Sequence, residues 1–445
     1  MRIRFTLLIG TVFYLMACST SKKITLSFNE DLINDTLVQT GHLGICIYEP
    51  GTQKYWYEYN SEKYFTPASN TKLFTLYAGL KYLPDSIIGA YYKVEHDTMF
   101  VLPSGDPTYL HKDFNKQPVH DFLNSSSYPV VIIDEKQNVL PYGKGWAWDD
   151  QQENYMPQRS ALPACGNMLT LEWIKNNNKS PNEFMYDLAV MSADLPDFSI
   201  NKRTDTTLEK NTITRASGTN HVEVIVNNKL NAFTQEIPFE TFGIGSGTMI
   251  YQHSLYHQPS LQQRVVNRNE FTPLYSQKRD TLMKLMMHRS DNFFAEQTLL
   301  MVSNKHLGFM SDEKMIDSLL KKDFTSIPQS PRWVDGSGLS RYNLFSPKDF
   351  IYIINLLQTN FGKEKIKEIL PTGGNGTLKN YFVADSGKVY AKTGSMSNQY
   401  SLSGILTTKK NKELIFSVMI NNYKGSAALI RKKIEKYIHD IIINN

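Results

Sequence analysis

Between about residue 90 and residue 272 the apolar spacing of helices disappears from this chain, and short β-type runs take its place. Runs at 91–96, 98–102, 130–134 and 221–226 are separated by polar loops rich in Asn, Asp, Gly and Pro. Helical spacing governs residues 69–83 before this block and 278–302 after it. One core rarely serves 445 residues, so two or three domains are expected. The flanks carry pieces of a single domain. Residues 42–48 and 54–59 read as a hairpin around Glu49-Pro50-Gly51-Thr52-Gln53, residues 400–407 and 414–421 read as strands, and 426–442 read as a closing amphipathic helix. The pattern predicts an α+β fold: one antiparallel sheet covered by helices, interrupted by a mainly β insertion of one or two small domains. The expected bounds are 41–90 and 264–445 for the helix-covered domain and 91–263 for the insertion, behind a signal segment at 1–17 and a tether with a short amphipathic stretch at 18–40.

The N-terminus points outward from the cytoplasm. Arg2 and Arg4 precede an apolar run at 5–17, too short to cross a bilayer as a stable helix and laid out as an export signal. It ends Leu15-Met16-Ala17-Cys18, which resembles a bacterial lipoprotein signal; Cys18 would then be lipidated and become the first residue of the mature chain. An ordinary cleavable signal is the alternative. Either way the chain is expected in the cell envelope or periplasm, with a lipid anchor as its membrane contact. The net charge of +5 is spread along the chain without a basic block interleaved with aromatics, which argues against nucleic acid as a partner. Cys46 and Cys165 leave both one disulfide and two free thiols open. His253 and His257 stand four apart without an apparent third ligand, so no metal centre is expected.

Chemistry enters at Pro67-Ala68-Ser69-Asn70-Thr71-Lys72. Pro67 suits a first helical turn, and Phe74, Tyr77 and Leu80 continue the spacing. Three residues apart on a helix, Ser69 and Lys72 share a face. A serine hydroxyl attacks a carbonyl only when a base takes its proton, and a lysine whose pKa is lowered can be that base. The same spacing recurs at Ser311/Lys314 and Ser318/Lys321, where nothing accompanies it.

At Ser69 something does. Ser290-Asp291-Asn292 follows at a helix junction, and Lys392-Thr393-Gly394 opens a strand. The three together, in this order, resemble the signatures of penicillin-recognising serine enzymes. The long gap from Lys72 to Ser290 resembles the D-alanyl-D-alanine carboxypeptidase/endopeptidase family typified by penicillin-binding protein 4, peptidase family S13, which carries extra domains at this point. Ser104-Gly105-Asp106-Pro107-Thr108, Gly145-Trp146-Ala147-Trp148-Asp149-Asp150 with Tyr155, Ser160-Ala161-Leu162, Asp335-Gly336-Ser337-Gly338-Leu339-Ser340-Arg341 and Gly376-Thr377-Leu378 extend that resemblance over nearly the whole mature chain. Two departures stand out: Ser395 follows the Lys-Thr-Gly where relatives often have threonine, and Cys165 interrupts a Pro/Gly-flanked loop.

The resemblance implies roles. Ser69 would attack the carbonyl of the penultimate D-alanine and form an acyl-enzyme, with Lys72 accepting its proton and a nearby Lys392 ammonium favouring neutral Lys72. Ser290 would relay the proton to the leaving amine. Asn292 would hold the acylated peptide, Lys392 and Thr393 the terminal carboxylate. The N–H groups of Ser69 and Ser395 would form the oxyanion hole, and Gly394 would let the strand approach. No metal or organic cofactor is required. Peptidoglycan and β-lactams are the implied ligands. Trp146 and Trp148 are expected to pack, Asp149 and Asp150 to order a loop, and Arg341 to shape the cleft rim. Two rival readings use the same residues: a β-lactamase or esterase on this fold, and a catalytically silent wall-binding protein.

Overall fold

A computed structural model describes residues 28–137, 139–176, 185–190, 195–227 and 229–445. The signal segment at 1–17 and Cys18 lie outside the described residues.

The two ends of the chain meet in one five-stranded sheet, ordered Val389–Met396, Gln399–Thr407, Glu413–Asn421, His42–Glu49, Lys54–Tyr59. Every neighbour in it is antiparallel. Its central strands are buried on both faces, which is why 414–420 reads as the near-continuous apolar run Leu-Ile-Phe-Ser-Val-Met-Ile. One face receives the closing helix, Ala427–Asn444. Its Ile430, Ile434, Ile438 and Ile441 recur at helical spacing and pack with Val389, Ala391, Leu402 and Phe416.

The other face carries the helices Lys72–Tyr82, Arg279–Arg289, Asn292–Leu307 and Pro347–Phe361, whose apolar side chains meet Cys46, Ile405, Ile415 and Met419. Phe74 is the hub of this layer, its ring 4.8 to 5.9 Å from those of Phe324, Trp333, Phe345 and Phe350. Truncating such a side chain costs about 3–5 kcal/mol. The helix Asn292–Leu307 is enclosed for three turns, Phe293 through Asn304 being buried without interruption. A helix buried all round holds its first residue on a rigid mount.

The β-rich block forms a second five-stranded sheet, ordered Ser260–Gln263, Val130–Asp134, Thr98–Pro103, Ser86–Glu95, Thr272–Lys278, and two three-stranded sheets. Val101, Ile132, Leu169, Leu171, Val224 and Ile237 from these sheets share one core. Ser86–Glu95 and Thr272–Lys278 pair with each other, so the chain enters and leaves the block side by side. These paired strands overrun the 91–263 segment at both ends.

Cys46 and Cys165 are not bridged to each other: Cys46 is buried inside the strand His42–Glu49, while Cys165 opens the 3₁₀ turn Cys165–Asn167 of the β-rich block.

Candidate active site

The segment read as one helix from Pro67 is two elements. Ala68–Thr71 is a 3₁₀ turn, and the α-helix begins at Lys72. Ala68 has φ +48°, which straightforward helix entry does not require. Gly338 packs directly against this turn: a Cβ there would fall 1.9 Å from the Ala68 carbonyl oxygen and 2.8 Å from Thr71 Oγ1. The turn is tied to the sheet as well. Thr66 N–H donates to Asn421 Oδ1 at 2.7 Å, and Asn70 Nδ2 donates to Ser403 Oγ at 2.8 Å. Ser69 is therefore positioned by strands on one side and a glycine loop on the other.

Lys72 is fully buried one turn on. Its Nζ donates to Ser69 Oγ at 2.9 Å, Asn292 Oδ1 at 2.6 Å and the Ser337 carbonyl at 2.7 Å. Three acceptors satisfy the three donors of an ammonium. Burial nevertheless lowers the Lys72 pKa to about 8, against the opposing pull of Asp335, Asp291 and Glu296.

Ser290 and Asn292 reach the site from a helix corner. Ser290 ends the helix Arg279–Arg289 in the left-handed conformation, φ 60° and ψ 38°, its N–H bonded to the Met286 carbonyl. Asp291 caps the next helix by accepting the Phe294 N–H at 2.9 Å. Asn292 opens that helix, and its Nδ2 donates to the Tyr155 carbonyl at 2.8 Å. The amide's second N–H is left for a ligand.

The third signature lies on Val389–Met396, the edge strand of the sheet. Lys392 is buried, and its Nζ donates to Ser290 Oγ at 2.8 Å and to the Thr393 carbonyl at 2.7 Å. Ala391 N–H donates away from the sheet, to the Pro371 carbonyl at 3.0 Å. Strand parity then turns the N–H groups of Thr393 and Ser395 to the same open edge. Gly394 passes so close to the Ser69 turn that a Cβ would lie 2.5 Å from the Pro67 carbonyl oxygen and 3.0 Å from Ser69 N.

Burial weighs against the charged form of both lysines. Lys72 is lowered by its own burial, whereas Lys392 is held well below the ordinary lysine range by burial and then by Lys72. Two ammonium groups this deep do not both stay charged.

A cavity of about 400 Å³ opens over these groups, lined by Ser69, Ser290, Asn292, Ser395, Tyr155 and Arg341 among others. Arg341 lines the same cavity as Ser69. Tyr155, Ser290 and Asn292 also line a larger cleft of about 1250 Å³, walled by the β-rich block. Trp146 packs as expected, its Nε1 donating to Asp335 Oδ2 at 2.8 Å. Trp148 does not: it is 82% exposed, because the 3₁₀ turn Trp148–Asp150 points it away from the core.

Sequence reasoning read Asp335 only as part of a cleft-rim turn and missed Glu296, the other group behind Lys72. Buried Asp335 accepts from Gly338 N–H, Ser340 N–H and Asn343 Nδ2 at 2.6 to 2.9 Å, fixing the loop that presents the Ser337 carbonyl. Glu296 accepts the Ser337 N–H at 2.7 Å and also meets buried Arg159 at 3.3 Å. Glu296 stands four residues after Asn292, on the same helix face, and that spacing was a usable signal.

The sequence matches the D-Ala-D-Ala carboxypeptidase 3 (S13) family over residues 29–440. The chain belongs to that family. It is 31% identical over 149 residues to the D-alanyl-D-alanine carboxypeptidase DacB of Haemophilus influenzae, a match covering 32% of this chain and 31% of that protein. It is 40% identical over 99 residues to the penicillin-sensitive carboxypeptidase A of Dictyostelium discoideum, covering 20% and 19% of the two chains. The matched stretches thus span about a third or less of these curated relatives. The fold extends further. The crystal structure of penicillin binding protein 4 (dacB) from Haemophilus influenzae superposes with a TM-score of 0.71 at 20% identity, covering 94% of this chain and 99% of that one. The S13 member described here shares that architecture: a mixed α/β fold with antiparallel sheets and covering helices.

Proposed function

We propose that this S13 member is a serine-type D-Ala-D-Ala carboxypeptidase and DD-endopeptidase that cuts peptidoglycan stem peptides through a Ser69 acyl-enzyme. One observation carries the reading: Ser69 Oγ, Lys72 Nζ and Asn292 Oδ1 form a continuous hydrogen-bonded chain, beside the Ser290–Lys392 pair, at the wall of one cavity. Neutral Lys72 takes the proton as Ser69 Oγ attacks the D-alanyl carbonyl. The N–H groups of Ser69 and Ser395 receive the developing oxyanion. Ser290, hydrogen-bonded to Lys392, relays the proton that Lys72 took on to the leaving amine, which leaves Lys72 neutral again as the C–N bond breaks. Asn292 holds the acyl peptide, Thr393 binds the terminal carboxylate with Lys392, and Gly394 admits the substrate to the strand edge. Water then attacks the ester and frees Ser69. Every step uses protein side chains and water.

The same site would accept β-lactams, and support comes from the similar Haemophilus protein, which is named as penicillin-binding and is also known in complex with a β-lactam. The segments 41–90 and 264–445 carry the chemistry in this reading, and the 91–263 insertion walls the larger cleft. Export behind residues 1–17 and lipidation of Cys18 would hold the enzyme at a membrane of the cell envelope, within reach of the wall.

Labelling with a fluorescent penicillin, wild type against Ser69→Ala, tests the acylation. Label on the wild type and none on the variant is the expected result; an unlabelled wild type defeats it. Mass spectrometry of digested wall fragments separates loss of one alanine from the splitting of cross-linked dimers.

A further inference from the structure

Arg431 reaches the reactive strand from the closing helix and has no place in the mechanism above. Its Nη2 donates to Ser395 Oγ at 3.0 Å, and its guanidinium lies over the Tyr400 ring, 5.5 Å from the centroid. Tyr400 is the cross-strand partner of Ser395, so ring and hydroxyl present the cation at one point of the sheet edge. Arg431 Nε is buried without a hydrogen-bond partner. Among the described residues no carboxylate forms an ion pair with Arg431.

A guanidinium held on an aromatic face, with one N–H unanswered and, among the described residues, no carboxylate paired to it, can still take an anion. Ser395 lines the same cavity as Ser69. By accepting from Arg431, its oxygen leaves its own O–H free to donate into that cavity. Lys392, the other candidate cation, is buried, and its Nζ hydrogen bonds run to Ser290 and to the Thr393 carbonyl. The Arg431 guanidinium, in contrast, offers the planar fork that matches a carboxylate.

We infer that Arg431 is a specificity-determining residue that adds, beside the Lys392–Thr393 contact, a guanidinium which with the Ser395 hydroxyl selects substrates bearing a free carboxylate on the leaving D-residue. The inference rests on the D-alanyl hydrolase reading. Terminal D-alanine and a cross-linked residue attached through its D-centre both carry that carboxylate, so one anchor serves both cleavages.

Two matched peptides test it: an acylated D-Ala-D-Ala with a free C-terminal carboxylate, and the same peptide as its carboxamide. Wild type should prefer the carboxylate, and Arg431→Ala should lower kcat/KM for it by about 10- to 100-fold, the usual range for a lost hydrogen bond to a charged group. Hydrolysis of the carboxamide should not change. Arg431→Lys should recover part of the preference, because charge returns without the planar fork. Equal hydrolysis of both peptides by the wild type, or an equal loss on both in Arg431→Ala, overturns the assignment; the second result would mark a structural role. A wild type that cleaves neither peptide and takes up no penicillin overturns the hydrolase reading, and the assignment falls with it.

Discussion

Lys72 Nζ donates to Ser69 Oγ across 2.9 Å, from a side chain with no exposed surface. An ammonium cannot accept a proton, so the base forms only as Lys72 titrates. Burial sets that titration at about 8. With neutral Lys72 as the proposed base, acylation by a fluorescent penicillin should accelerate as pH rises, reach half its maximum near 8 and level off above. Lys72→Arg should stay flat and slower by about 10²- to 10⁴-fold, since guanidinium keeps its proton. A wild-type rate independent of pH between 6.5 and 9.5 would remove lysine as the base.

Ser290 makes a second, separable prediction because backbone and hydroxyl can be tested apart. Its φ of 60° is costly for any residue with a Cβ and easy for glycine. Ser290→Gly should therefore melt at a higher temperature than Ser290→Ala. Both should lose acylation by about 10²- to 10⁴-fold if the hydroxyl carries the proton. Stability and activity would then move independently; full activity in either variant would exclude Ser290 from the transfer.

The legible part of this molecule was whatever repeats at short range. The hairpin at 42–59, the runs at 98–102 and 130–134, the last two strands and the closing helix are all written in local periodicity, and they match the observed elements to within about two residues. The three signatures were legible because their spacing within each is local. What converges behind them was not. Asp335 orders its loop through contacts to Gly338, Ser340 and Asn343, and only the fold brings Glu296 beneath Ser337 and Arg431 beside Ser395. The 3₁₀ turn at Ala68–Thr71 was missed for the same reason, because what packs against it is Gly338, 270 positions away in the sequence. Trp148 was misplaced because a large apolar residue in a loop carries no signal of the direction it faces.

That remote glycine is itself a test of how the nucleophile is held. Gly338 has φ +82°, and a methyl there would overlap the Ala68 carbonyl oxygen at 1.9 Å. Backbone cannot yield as a flexible side chain can. Gly338→Ala should cost about 1–3 kcal/mol for the left-handed strain, plus whatever the displaced Ala68–Thr71 turn adds. The sharper expectation concerns chemistry. Penicillin acylation should fall by more than stability predicts, because Ser69 moves with Ala68. Rates equal to wild type at a temperature where the variant is fully folded would show that the loop does not position Ser69.

Glu296 offers the most discriminating variant. Its Oε1 accepts the Ser337 N–H, and the Ser337 carbonyl in turn accepts Lys72. Burial, then the charge of Asp335, raises its own pKa to about 7. A native carboxyl that keeps a proton the unfolded chain has released makes stability fall as pH rises between about 4.5 and 7. Glu296→Gln keeps an oxygen for Ser337 and removes the charge, so that fall should flatten. Removing a negative group that favours the Lys72 ammonium should also move the acylation midpoint below its wild-type pH. Glu296→Ala should do worse: it strips one partner from buried Arg159, and breaking a buried pair costs about 3–5 kcal/mol. If Glu296→Gln lowers the melting temperature yet leaves the acylation midpoint where it was, Glu296 supports only the fold. A downward shift would show that the charge behind the Ser337 peptide helps set the base.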